Sequence, residues 1–124
     1  MSELWQLPGH KIADLVRSKK ISAVEVTKAH LSRLDTVNPK LNAVVQEMPD
    51  AAIKDAEEID RLVKSGNDPG VLCGVPVTIK VLADQKGYAT TNGLKLQKNL
   101  IAETDSPIVS NIKKAGGVII GRTN

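Results

Sequence analysis

The sequence predicts an α/β fold: one domain, spanning residues 1–124, with helices packed on a small mixed sheet. Three observations carry this. Segments with apolar residues at helical spacing alternate with short runs rich in Val and Ile. Helix-start and helix-stop signals bracket those segments. A chain of 124 residues is long enough to bury about two-thirds of the surface its unfolded form exposes.

The elements follow in order. In residues 9–19, Ile12, Leu15 and Val16 fall at helical spacing and predict a short first helix. Ser22 and Glu25 form a capping box, in which each side chain satisfies the other's backbone N–H. The helix they open carries Val26, Leu34 and Val37 on one face, with Asn38-Pro39 expected to stop it. Residues 41–46 read as a strand. Pro49-Asp50 opens the next helix, whose apolar face is Ala52, Ala56, Ile59 and Val63, with Gly66 as its stop. Residues 75–82 form a strand with Pro76 at its beginning or on an edge. A polar loop over 84–104 precedes Ser106-Pro107, a helix cap and first helical position. Gly116-Gly117 ends that helix, and Val118 opens a last, central strand. Nothing follows to cover this strand, so the chain is expected to be cut short there, with the strand 118–121 and its edge uncovered.

Composition narrows the function. Hydrophobic residues make up 41% and charged residues 25%, which excludes a disordered tail or a disulfide scaffold. With no Phe, one Trp and one Tyr, the core must be aliphatic and stacking platforms for single-stranded nucleic acid are absent. The net charge of +3 is uneven: residues 86–124 hold 6 basic and 2 acidic side chains. Their lysines form no long run, so a solvated face is expected and no nucleic-acid partner. The single cysteine, Cys73, excludes a disulfide framework and reads as a small buried hydrophobe. No membrane-length apolar run and no signal peptide is visible, which makes a cytoplasmic location the expectation.

Several motifs have plain explanations. Gly116–Thr123 imitates a phosphate-binding loop, but Val118-Ile119-Ile120 extend as a strand and Arg122 stands where a lysine is needed. His10 and His30 have no partner at ligand spacing, and His30 lies on the apolar side of its helix. Glu57, Glu58 and Asp60 read as a solvated helix face. Lys80 stands apart as a charge inside the apolar run Val75–Leu82. Burying an ammonium is costly unless it is paired or neutral, which makes this lysine odd and leaves a functional role open. The alternative is an edge strand, where Lys80 shares a face with Pro76, Thr78 and Leu82 and reaches water.

The blocks GVPVTIK (Gly74–Lys80), TTNG (Thr90–Gly93), TDSPIV (Thr104–Val109) and AGGVIIGRTN (Ala115–Asn124) resemble consecutive blocks of the amidase signature family. The stretch Ile21–Val45 is similar to that family's N-terminal helix and first strand. The resemblance covers nearly the whole chain and implies a partial amidase-signature core. It further implies hydrolysis of carboxamides by a serine–serine–lysine triad, with Lys80 as the catalytic lysine. The family's two serines and oxyanion hole belong to a Gly/Ser-rich stretch well downstream of the GRTN block. Two departures stand out: Val81 where relatives commonly have Asp, and Leu94 where a serine is common.

A serine nucleophile needs an adjacent base. A lysine serves as one only when neutral, so its pKa must fall from about 10.4 to about 7–8; burial among the Val and Ile neighbours of Lys80 is one route. Ser22 and Ser106 read as helix caps and Ser110 lies within a helix, so no local serine replaces the missing nucleophile. The expected function is the N-terminal part of an amidase-type hydrolase, inactive as an isolated chain. The alternative is a non-catalytic binding or assembly module of amidase descent. The resemblance implies a small-molecule amide substrate for a whole enzyme, with no metal or organic cofactor. No membrane partner is expected, and the uncovered edge predicts self-association.

Overall fold

The computed structural model describes residues 3–124. After a 3-10 turn at Leu4–Gln6 come α1 (Gly9–Arg17), α2 (Ala23–Leu41), β1 (Val44–Glu47), α3 (Pro49–Lys64) and β2 (Pro76–Lys80). A second 3-10 turn, Lys95–Gln97, interrupts the long loop before α4 (Pro107–Lys114) and β3 (Val118–Thr123). The α/β expectation holds, and the sheet is mixed. Its order is β1-β3-β2, with β3 antiparallel to β1 and parallel to β2.

β3 is central, but it is not left uncovered. Val118 through Arg122 are all buried, because β1 and β2 occupy both of its edges and side chains cover both its faces. The free edges of this sheet belong to β1 and β2 instead. One core gathers Ile12, Val16, Val26, Ile59 and Val63 from α1–α3 over Val118 and Ile120. A second core lies around Ile119 and Ile79 and includes Met48, Ala83 and, from α4, Val109. Both are aliphatic, as the near-absence of aromatics requires.

Local signals account for most helix ends. The Ser22 hydroxyl accepts from the Glu25 N–H at 3.0 Å and the Glu25 carboxylate accepts from the Ser22 N–H at 2.8 Å. The Ser22 N–H, and after it the Ser22 hydroxyl, hold the Glu25 carboxyl below its usual range. Ser106 caps α4 through the Val109 N–H. Asn38-Pro39, however, does not stop α2. Pro39 is inside the helix, which runs to Leu41 and closes at Asn42 in a left-handed conformation, φ 51°. A proline close to a helix end removes one N–H with little of the helix left to disrupt. The Asn38 side chain then accepts from the N–H groups of Ala43 and Val44, which turns the chain into β1. Hence β1 starts at Val44, three residues later than expected at Leu41.

Asp60 corrects a second expectation. It does not lie on a solvated face. Its carboxylate accepts from the N–H groups of Ala23 at 2.7 Å and Val24 at 3.1 Å. An acid on α3 thus satisfies the orphan donors at the start of α2. Glycine is required at Gly70, where φ is +122° and a Cβ would stand 2.4 Å from the Ala115 carbonyl oxygen. That close approach docks the 67–70 turn against the end of α4, and the Leu72 N–H donates to the same oxygen. Among the described residues, no helix is long and apolar enough to cross a membrane.

Candidate active site

The site is built where β2 and β3 end side by side. The two strands pair in parallel from Pro76 with Val118 to Lys80 with Thr123. Between Val77 and Thr78 the register shifts, and Ile120 is passed over. The shift reverses which side chains share a face. Beyond it, Ile79 faces the same way as Arg122, and Lys80 the same way as Thr123.

Lys80 is exposed, and so is Thr78 beside it, while Ile79 and Val81 are buried. The expected burial of this lysine therefore does not occur within these residues. β2 is an edge strand, and Lys80 lies on its exposed side with Thr78. Its Nζ donates to the main-chain oxygen of Asn124 at 2.8 Å. No hydrogen bond joins it to any serine among the described residues. The hydroxyls of Ser18 and Ser65 donate to main-chain carbonyls within their own helices' last turns, and Ser22 and Ser106 cap.

Val81 turns its side chain inward, with 4% exposed. Its N–H donates to the Thr123 carbonyl at 2.9 Å, extending the pairing one step past Lys80. Val81 is therefore packing, and it makes no polar side-chain contact with the lysine. Leu94, the other departure, is exposed at 53%.

Arg122 is the residue sequence reasoning missed. It reads there only as the wrong basic residue for a phosphate loop, yet it is fully buried. Its Nη1 donates to the Ala83 carbonyl at 3.0 Å and to Gln85 Oε1 at 3.3 Å. Its Nη2 donates to the carbonyls of Ala89 at 3.1 Å and Val81 at 3.4 Å. Its Nε has no partner among the described residues. Burial presses its pKa down, opposed by the charge of Asp84. A signal for it exists in the sequence: Arg122 is a charge inside the apolar run Val118–Thr123, the same anomaly that singles out Lys80. The phosphate-loop resemblance of Gly116–Thr123 is dismissed by the same geometry, since residues 118–123 are strand and the guanidinium faces carbonyls.

The remaining candidates are structural. Cys73 is fully buried, and burial pushes its thiol pKa up. The His30 ring bonds through Nδ1 to the Val26 carbonyl at 2.8 Å on α2. A cavity of about 330 Å³ lies beside Val81, Thr91, Gly93 and Arg122, and Lys80 does not line it.

Comparison with known proteins agrees with the resemblance in the sequence blocks. The Amidase family model matches residues 25–124. An indoleacetamide hydrolase of Bradyrhizobium diazoefficiens is 45% identical over 121 residues, covering 98% of this chain and 23% of that protein. A glutamyl-tRNA(Gln) amidotransferase subunit of Carboxydothermus hydrogenoformans is 40% identical over 122 residues, covering 98% of this chain and 25% of that protein. The solved structure of a bacterial aryl acylamidase of the amidase signature family superposes with a TM-score of 0.90 at 29% identity, over 95% of this chain and 25% of that one. The chain thus spans about a quarter of the length of the relatives it matches. With the family model covering all but the first 24 residues and the same fold in a solved member, the chain belongs to the amidase family.

Proposed function

We propose that this chain is the N-terminal part of an amidase domain, residues 1–124, from a hydrolase that cleaves carboxamide C–N bonds. Lys80 is its general base. The observation that carries the reading is the position of Lys80 in the GVPVTIK block, at the end of β2, with its amine outside the packed core. A base must reach its partner, and an amine at a strand end is placed to meet groups that are not part of this chain.

In the reaction, the lysine takes a proton, by way of a bridging serine, from the serine that attacks the amide carbon. The acyl-enzyme forms as the C–N bond breaks, ammonia or an amine leaves with a proton, and water releases the acid. By this reading the isolated chain is inactive, because among the described residues no serine is hydrogen-bonded to Lys80, and Ser22 and Ser106 cap helices. The substrate of a whole enzyme is a small carboxamide, as the name of the indoleacetamide hydrolase suggests for that relative. The location is cytoplasmic. The chain also associates with itself through the free edges of β1 and β2.

The test is release of ammonia from indole-3-acetamide, glutamine and a plain aliphatic amide by the purified chain. No release above the uncatalysed rate is expected. Turnover by these 124 residues would overturn the claim that the nucleophile lies elsewhere.

A further inference from the structure

We propose that Arg122 is a positioning residue for Lys80: by gripping the turn that follows β2, it fixes the direction in which the lysine leaves the sheet. The inference rests on the reading of Lys80 as the general base.

A buried guanidinium is expensive and is ordinarily matched to a carboxylate. Arg122 makes no such pair. All four of its hydrogen bonds go to neutral oxygens of one short segment, residues 81–89. Three of those oxygens are main-chain carbonyls, so the grip acts on the path of the backbone. The planar fork of arginine suits several carbonyls at fixed angles, whereas an ammonium reaches fewer of them in one geometry.

The grip begins immediately after Lys80. β2 is an edge strand and Lys80 is its last residue, a place where pairing ordinarily frays. Here the fraying is blocked on each side. Ile79 pairs with Arg122 itself, and Lys80 pairs with Thr123. Past the lysine, the Val81 N–H donates to the Thr123 carbonyl, and the Val81 carbonyl accepts from Arg122. The Ala83 N–H turns back to the Lys80 carbonyl at 3.0 Å.

The shifted register makes this possible. Because Ile120 is passed over, Arg122 falls on the Ile79 face, where the 81–89 segment lies, and Thr123 falls on the Lys80 face. Without that shift the guanidinium would point into the core of α1–α3. One residue in β3 thereby locks the backbone around the lysine while leaving its amine outside the packed core. For a base this matters, since a misplacement of about 1 Å can cost about a hundredfold in rate.

The experiment is NMR on the whole chain with lysine side chains labelled with carbon-13, comparing the parent with Arg122→Lys, which keeps the charge and loses the fork. The expected result has three parts. The Val81 and Ala83 amides exchange at least about tenfold faster, the Lys80 Cε–Hε signal moves from its parent position as the bond to Asn124 loosens, and the α3 amides of Ala56 and Ile59 keep their protection. An Arg122→Lys chain with a protected core and an unmoved Lys80 signal overturns the proposal, because a purely structural arginine would give that. Should Arg122→Lys fail to fold, Gln85→Ala removes a single acceptor, and a smaller shift of the same sign is expected. No shift in that variant overturns the proposal equally. Failure of the underlying base reading shows separately, in the whole enzyme this reading proposes, as ammonia release that survives Lys80→Ala.

Discussion

Lys80 Nζ and the main-chain oxygen of Asn124 lie 2.8 Å apart, across the ends of two parallel strands. The lysine therefore bridges two strand ends from the solvent side, with one hydrogen bond and no buried partner. An exposed hydrogen bond of this kind contributes little, and surface substitutions usually fall within about 0.5 kcal/mol. Lys80→Ala is expected to change unfolding free energy by less than about 1 kcal/mol in urea titration. A loss above about 2 kcal/mol would mean that Lys80 supports the fold, which this geometry does not provide for.

Gly70 offers the opposite case. A methyl group there would overlap the Ala115 carbonyl, in a backbone conformation with φ of +122°. The obstructing atoms are not the flexible end of a side chain, so backbone must move. Gly70→Ala is expected to destabilise the chain by about 2 kcal/mol or more. Thermal unfolding followed by circular dichroism checks this, and an unchanged midpoint would show that the 67–70 turn is not docked on α4.

Acid should loosen the start of α4. The Asp105 carboxylate accepts from the Lys113 ammonium at 2.9 Å and from the Lys86 N–H at 2.8 Å. Burial works against its charge, but those hydrogen bonds outweigh it and hold its pKa below the usual range. A carboxyl whose pKa is lower folded than unfolded adds stability above the unfolded value of about 3.9, and that stability is lost as pH falls through the folded value. Asp105→Asn should therefore cost stability at about pH 7 and less at about pH 2. Equal losses at both pH values would mean that the charge of Asp105 is not what matters.

The free strand edges carry a prediction about association. Among the described residues, β1 and β2 each leave one side unpaired, and Leu82, Leu94 and Leu96 are exposed at 54%, 53% and 98%. Unpaired edges beside exposed apolar side chains template further pairing. Sedimentation at micromolar concentration is expected to show dimers or larger species. A compact monomer would contradict this.

How much of the molecule is legible in its sequence depends on how local the cause is. The Ser22–Glu25 box, the Ser106-Pro107 start and the Ala52, Ala56, Ile59, Val63 face are settled within a turn or two of helix, and each stands as the sequence implies. The end of α2 escapes such a reading because Pro39 is a strong local signal that the Asn38 side chain and Asn42 postpone. Asp60 escapes it because its partners, Ala23 and Val24, are far away along the chain. The same holds for the site. Lys80 stands out within its own strand, but its exposure depends on β2 being an edge, which pairing decides. Arg122 acquires its role only through the skipped Ile120 and the return of residues 81–89 over the sheet.

The proposed role of Lys80, a base whose nucleophile lies outside these residues, is tested by fluorophosphonate labelling of the purified, folded chain, read by intact mass beside Lys80→Ala. No adduct is expected on either protein. An adduct on the parent that disappears in Lys80→Ala would show an activated serine within these residues, and would contradict it.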